Sequence, residues 1–129
     1  MSTEKTPTVG DVLERMNRDG GLFMSLLCTD EGLLLGSAGD EASGEEIGGF
    51  TSLFDNIVLR AERDIDIQRV DEVTLLDPRR GRIVIRPINV EGGSRFFLVV
   101  RLPTSARWRR STNLACAALR PLLEHAVGN

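Results

Sequence analysis

Two stretches of this sequence, "LFMSLLC" at residues 22–28 and "RFFLVVRL" at 95–102, have almost unbroken apolar cores. A strand with one face in water alternates apolar with polar residues, so a strand apolar on both sides has to be covered on both sides. Neither stretch approaches the roughly 20 apolar residues of a membrane-spanning helix. They predict central strands of a sheet with further structure packed above and below. At 129 residues the chain suits one such core and is too short for two comfortable ones.

The rest of the pattern supplies the covering layers. Residues 1–7 read as a disordered tail, followed by a single domain over 8–127. Thr8, with Asp11 three places on, caps a short helix whose Val9, Val12, Leu13 and Met16 share one face, and Gly20 or Gly21 ends it. "TDEG" connects the first strand to a second, "LLLGSA", with Gly32 at the turn position that needs positive φ. Ser43 and Glu46 form a capping box for a long amphipathic helix carrying Ile47, Phe50, Phe54, Ile57 or Val58, and Ala61. "VDEVTLLD" and "RIVIRPI" are strands joined by the turn "PRRG", and "NVEGGS" leads into the last strand. Thr104 or Ser105 then caps a final helix with Trp108, Ala115, Leu119, Leu122 and Ala126, in which Pro121 predicts a kink or interruption. Five strands joined mostly by hairpins, with helices on both faces, make an α+β sandwich.

Enzymatic and cofactor sites are hard to find in this sequence. The single histidine, His125, stands in the last turn of the last helix, without neighbours at metal-ligand spacing, and reads as a surface residue that the helix dipole suits. There is no tyrosine and no Gly-x-Ser-x-Gly, so no catalytic residue, cofactor or metal ligand is assigned. Residues 28–46, "CTDEGLLLGSAGDEASGEE", carry four glycines, the density of a phosphate-binding loop. However, Asp30, Glu31, Asp40, Glu41, Glu45 and Glu46 would repel an anion, and no lysine or arginine is present to balance one. Those glycines shape the chain.

The net charge of −3 hides an asymmetry: residues 19–59 hold eight acids and no base, whereas 60–129 hold thirteen arginines and eight acids. The acidic first half argues against a general nucleic-acid binder. The opening "MSTEKTPTVG" lacks the apolar core of a signal peptide, and two distant cysteines, Cys28 and Cys116, read as reduced thiols. A cytoplasmic protein without membrane insertion is expected.

Two features stay open at this level. Gly49, Ser52 and Asn56 form a stripe of small or polar residues on the long helix, either a tolerated weakness or a place where a second helix approaches closely. "ARWRR" puts Arg107, Arg109 and Arg110 in the expected first turn of the last helix, where positive charge opposes the dipole. Solvent screens them, or the helix starts later, or they pair with carboxylates of this chain or of a partner.

The hairpin "CTDEGLLLGSA", the capped helix "SGEEIGGFTSLFDNIVLRAER" and the run "VTLLDPRRGRIVIRPINVEGGSRFFLVVRL" followed by a helix resemble the Roadblock (dynein light chain) domain family, including its bacterial MglB-like members. The resemblance covers about residues 8–126. It implies a five-stranded antiparallel sheet in the order 2-1-5-4-3, with the long helix on one face and the other two helices on the opposite face. It also implies a dimer, usually a homodimer or heterodimer, in which edge strands carrying Val73 and Leu75 pair and the long helices meet along Gly49, Ser52 and Asn56. Such dimers bind small Ras-like GTPases as activators or scaffolds without contributing a catalytic side chain, so Arg79 and Arg80 are not assigned as an arginine finger. Arg107, Arg109 and Arg110 match no family pattern and are carried as a partner contact. The alternatives are a small-molecule sensor, for which Ser25 is one of few buried polar candidates, and a homodimeric structural module without a GTPase partner.

Overall fold

The computed structural model describes residues 6–39 and 44–127, the side chains of 44–52 and 126–127 excepted. The order of elements is α1 (Val9–Gly20), β1 (Met24–Thr29), β2 (Leu34–Gly39), α2 (Gly44–Asp64), β3 (Val73–Asp77), β4 (Gly81–Asn89), β5 (Arg95–Leu102) and α3 (Arg109–Val127). The five strands form one antiparallel sheet in the order β2-β1-β5-β4-β3. The two apolar strands are thus β1 and β5, adjacent to each other and flanked on both sides.

Strand alternation divides the core in two. On one face Leu27, Val84, Ile88, Leu98 and Val100 pack against Val12, Leu13 and Met16 of α1 and Ala115, Leu119 and Leu123 of α3. On the other, Met24, Leu26, Cys28, Ile85, Phe97 and Val99 pack against Phe54 and Val58 of α2. The long helix therefore has one face of the sheet to itself. Of the two candidates for its inward face, Val58 is buried and Ile57 is exposed.

The caps follow local chemistry. Thr8 Oγ1 accepts from the Asp11 amide while the Asp11 carboxylate accepts from the Thr8 amide, and these bonds hold the Asp11 carboxyl below its ordinary pKa. Gly21, at φ 65°, closes the other end. The tail residues 1–5, the Ser43–Glu46 cap and the Asp40–Glu41 turn lie outside the described residues.

The last helix differs from its expected start. Thr104 and Ser105 form a turn after β5 rather than a cap. The Trp108 carbonyl accepts the first helical bond, from the Thr112 amide, so Trp108 and Arg107 precede the helix while Arg109 and Arg110 open it. Capping signals four residues early were overridden because Trp108 is anchored elsewhere, as described below. Nor does Pro121 end the helix, which runs unbroken to Val127. Pro121 is exposed, so the carbonyl it deprives of a partner one turn earlier can turn toward water.

The two sheet edges are unlike. Strand β2 is packed under α1, and its register with β1 shifts between Leu27 and Cys28. Strand β3 is straight and pairs in unbroken register with β4 alone. The hairpin between them closes at Gly81, which has φ 100°; a Cβ there would overlap the Leu102 carbonyl oxygen on the next strand. Gly81→Ala should therefore lose more than the roughly 1–3 kcal/mol of a strained backbone. Gly92→Ala, at φ 93° with nothing within 4 Å of a Cβ, should lose only the strain. Urea unfolding of both variants isolates the overlap, and equal losses would show that it relaxes away.

Candidate functional site

Helix α2 is pinned to the sheet along one flank. Asp55 and Arg95, at the start of β5, form an ion pair of 2.7 Å with side chains only 21% and 17% exposed. Arg95 Nε also donates to Asn89 Oδ1. One turn from the helix end, Glu62 Oε2 accepts the Val70 amide of the segment leading to β3. Arg63 and Arg60 both bind Asp64 and hold its carboxyl below the ordinary range.

Helical spacing then orients the remaining side chains. Phe54 and Val58 point into the core, and Asp55 and Glu62 mark the flank toward β5 and β3. Leu59, 44% exposed, shares that flank. Asn56 points outward into solvent. Leu53 and Ile57, 57% and 52% exposed, lie on the opposite flank, toward the β2 edge. There Leu34, the register partner of Cys28, is exposed on the same face of the sheet. Gly49 and Ser52 belong to α2, but their side-chain surroundings lie outside the described residues.

Because α2 lies nearest β1 and β2, the β3 side of that face is left as an incompletely covered trough, although Ile85 of β4 is buried under the helix. Val73 and Ile83 are only partly buried in it, and Leu75, of the same strand parity as Val73, is exposed. Two of the residues expected at an interface, Val73 and Leu75, thus line an uncovered apolar surface beside the flank that carries Leu59. The sequence reading missed Leu59, Leu53 and Ile57. A hydrophobic residue on an amphipathic helix reads as core unless its angle to the inward-facing pair is followed residue by residue.

The "ARWRR" segment meets carboxylates of its own chain. Trp108 Nε1 donates to Glu72 Oε1 at 2.7 Å, and Glu72 Oε2 accepts from Thr74 and stands 3.9 Å from Arg109. The guanidinium groups of Arg82 and Arg109 lie 5.1 and 5.2 Å from the Trp108 ring centre. Arg107 and Arg110 are exposed and make no ion pair among the described residues. Beneath them the buried Arg86 donates to Thr112 Oγ1, to the Asp71 carbonyl and to the Asp71 carboxylate.

Among the described residues, no group of three or more His, Cys, Asp or Glu is placed to hold a metal ion. No described helix is long and apolar enough to cross a membrane. His125 is exposed in the last turn of α3. Neither cysteine forms a disulfide among the described residues; Cys28 is buried with its thiol toward the Phe97 carbonyl, and burial pushes the Cys116 thiol up, with Arg86 and Arg120 opposing. Ser25 is fully buried on the face under α1, and its hydroxyl has no hydrogen-bond partner among the described residues.

No family model matches the sequence, and no curated protein matches it. Solved structures do. MglB of Myxococcus xanthus superposes with a TM-score of 0.79 at 17% identity, over 97% of this chain and 94% of that one. An MglB with tetrameric arrangement gives 0.76 at 16% identity, over 98% and 95%. A Roadblock/LC7 domain from Streptomyces avermitilis gives 0.69 at 14% identity, over 87% and 94%. Near-complete coverage in both directions at such low identity is a likeness of fold, and it agrees with the strand order and the division of helices between the two faces. The chain has the roadblock fold that these MglB structures share.

Proposed function

We propose that this chain forms a homodimer through β3 and α2, and that the dimer is a non-catalytic regulator or scaffold of a small Ras-like GTPase. The observation that carries the dimer is the trough over β3 and β4. Leu75, Val73 and Ile83 form an apolar surface next to a straight, unpaired strand edge, with Leu59 on the adjoining flank. A second copy would cover both at once, with Gly49, Ser52 and Asn56 at the helix contact. That one similar solved protein is an MglB with tetrameric arrangement supports assembly from copies of such a chain.

The GTPase reading rests on the likeness to MglB and on a second apolar surface, Leu53, Ile57 and Leu34, on the flank of α2 away from the trough. A dimer so formed keeps that surface free for a partner. Arg107, Arg109 and Arg110, on the opposite side of the sheet, are a separate candidate contact for a partner's carboxylates. The nucleotide belongs to the partner on this reading, since the acids of residues 28–46 would repel a phosphate from the glycine-rich stretch.

The test is GTP hydrolysis by small GTPases encoded in the same genome, with and without this protein, together with binding to their GTP-loaded forms. Binding with acceleration identifies an activator, and binding without it a scaffold. Ile57→Asp should abolish binding while leaving the dimer mass unchanged. No binding to any GTP-loaded candidate would defeat the GTPase reading and leave a homodimeric structural module.

A further inference from the structure

Trp108 packs against the core under α1 and α3, but the core does not account for the two arginines against its ring or for the carboxylate that takes its indole nitrogen. Glu72, which receives that bond, immediately precedes edge strand β3. Strand β3 has five residues and a hydrogen-bonded neighbour on one side only, so it is poorly determined by its own ladder.

Its approach is instead held by side chains from other elements. Glu62 takes the Val70 amide, Arg86 binds both the carbonyl and the carboxylate of Asp71, and Trp108 holds Glu72. Glu72 in turn receives the Thr74 hydroxyl inside the strand. Arg86, Thr112 and Trp108 act from the face of α1 and α3. They leave the outward row of β3 backbone groups without a strand partner among the described residues. The guanidinium groups of Arg82 and Arg109 also attract the indole ring, within cation–π range, and so help to hold it in place. Arg109, which opposes the dipole of α3, thereby gains a use.

We infer that Trp108 is a positioning residue: through Glu72 it sets edge strand β3, from the opposite face of the sheet, in the geometry that pairs with a second copy of this chain. This rests on the dimer reading above.

Three variants separate the bond from the ring and the charge. Trp108→Phe keeps an aromatic ring between the arginines and removes the N–H. Glu72→Ala removes the acceptor. Glu72→Gln keeps an acceptor for the indole and removes the charge. In sedimentation equilibrium Trp108→Phe and Glu72→Ala should weaken the dimer about fivefold to tenfold, the scale of one lost hydrogen bond, and Glu72→Gln should stay near the unmodified protein. Hydrogen exchange on diluted monomer should rise at residues 73–77 in the first two variants and not in β1 or β5. Unchanged dimer affinity in Trp108→Phe and Glu72→Ala, with the unmodified protein dimeric, overturns the positioning role alone. An unmodified protein that stays monomeric at every concentration overturns the dimer reading and this inference with it.

Discussion

Phe97→Ala should lower stability by about 3–5 kcal/mol, enough to unfold much of the population of a domain of ordinary stability. Phe97 is completely buried on the central strand β5, opposite Cys28 of β1 and Pro87 of β4, and packs in the layer under α2. The cavity it leaves cannot collapse easily, because it is walled by strand backbone on both sides and by a helix pinned through Asp55 and Arg95. Urea unfolding measures the loss. Phe23→Ala is the control: Phe23 is 52% exposed at the entry to β1, and its truncation should change stability by roughly 0.5 kcal/mol. Similar losses in the two variants would mean that the core is not divided as described.

Leu75→Asp should abolish the proposed dimer. Each leucine buried in the contact contributes about 1.5–3 kcal/mol and the two-fold counts it twice, so the loss is about 3 kcal/mol or more, beyond a hundredfold in dissociation constant. A carboxylate meeting its symmetry mate adds repulsion, and a charge introduced on an edge strand discourages pairing. Because Leu75 is 40% exposed in the single chain, the substitution should leave the urea midpoint of the monomer nearly unchanged. Light scattering reads the mass. A dimer that survives Leu75→Asp at the original concentration would place the contact away from β3.

Most of the architecture was legible because it is written in local periodicity. The apolar runs of β1 and β5 demanded cover on two faces, and the turn glycines at 32 and 81 adopt the positive φ their positions required. What failed was decided at long range. Trp108 and Glu72 are 36 positions apart in sequence, so no capping rule could foresee that Trp108 would be held back from the helix it precedes. The choice between Ile57 and Val58 needed the exact direction of α2 over the sheet, which the Asp55–Arg95 pair fixes across 40 positions. The candidate surface was legible only in part for the same reason. The small stripe is visible in sequence, but the trough exists because α2 lies toward β1 and β2 and leaves the β3 side of the face, with Leu75, incompletely covered.

The contrast between the edges also limits how far such a chain can grow. With the pairing of β2 interrupted by a bulge and that of β3 unbroken, β3 is the edge better suited to accept a neighbouring strand. A sheet with one usable edge adds one neighbour and is then finished; the same chain with two would polymerise without end. Any larger assembly has to be built through the helical layers, on contacts that can be tuned or lost independently of the sheet.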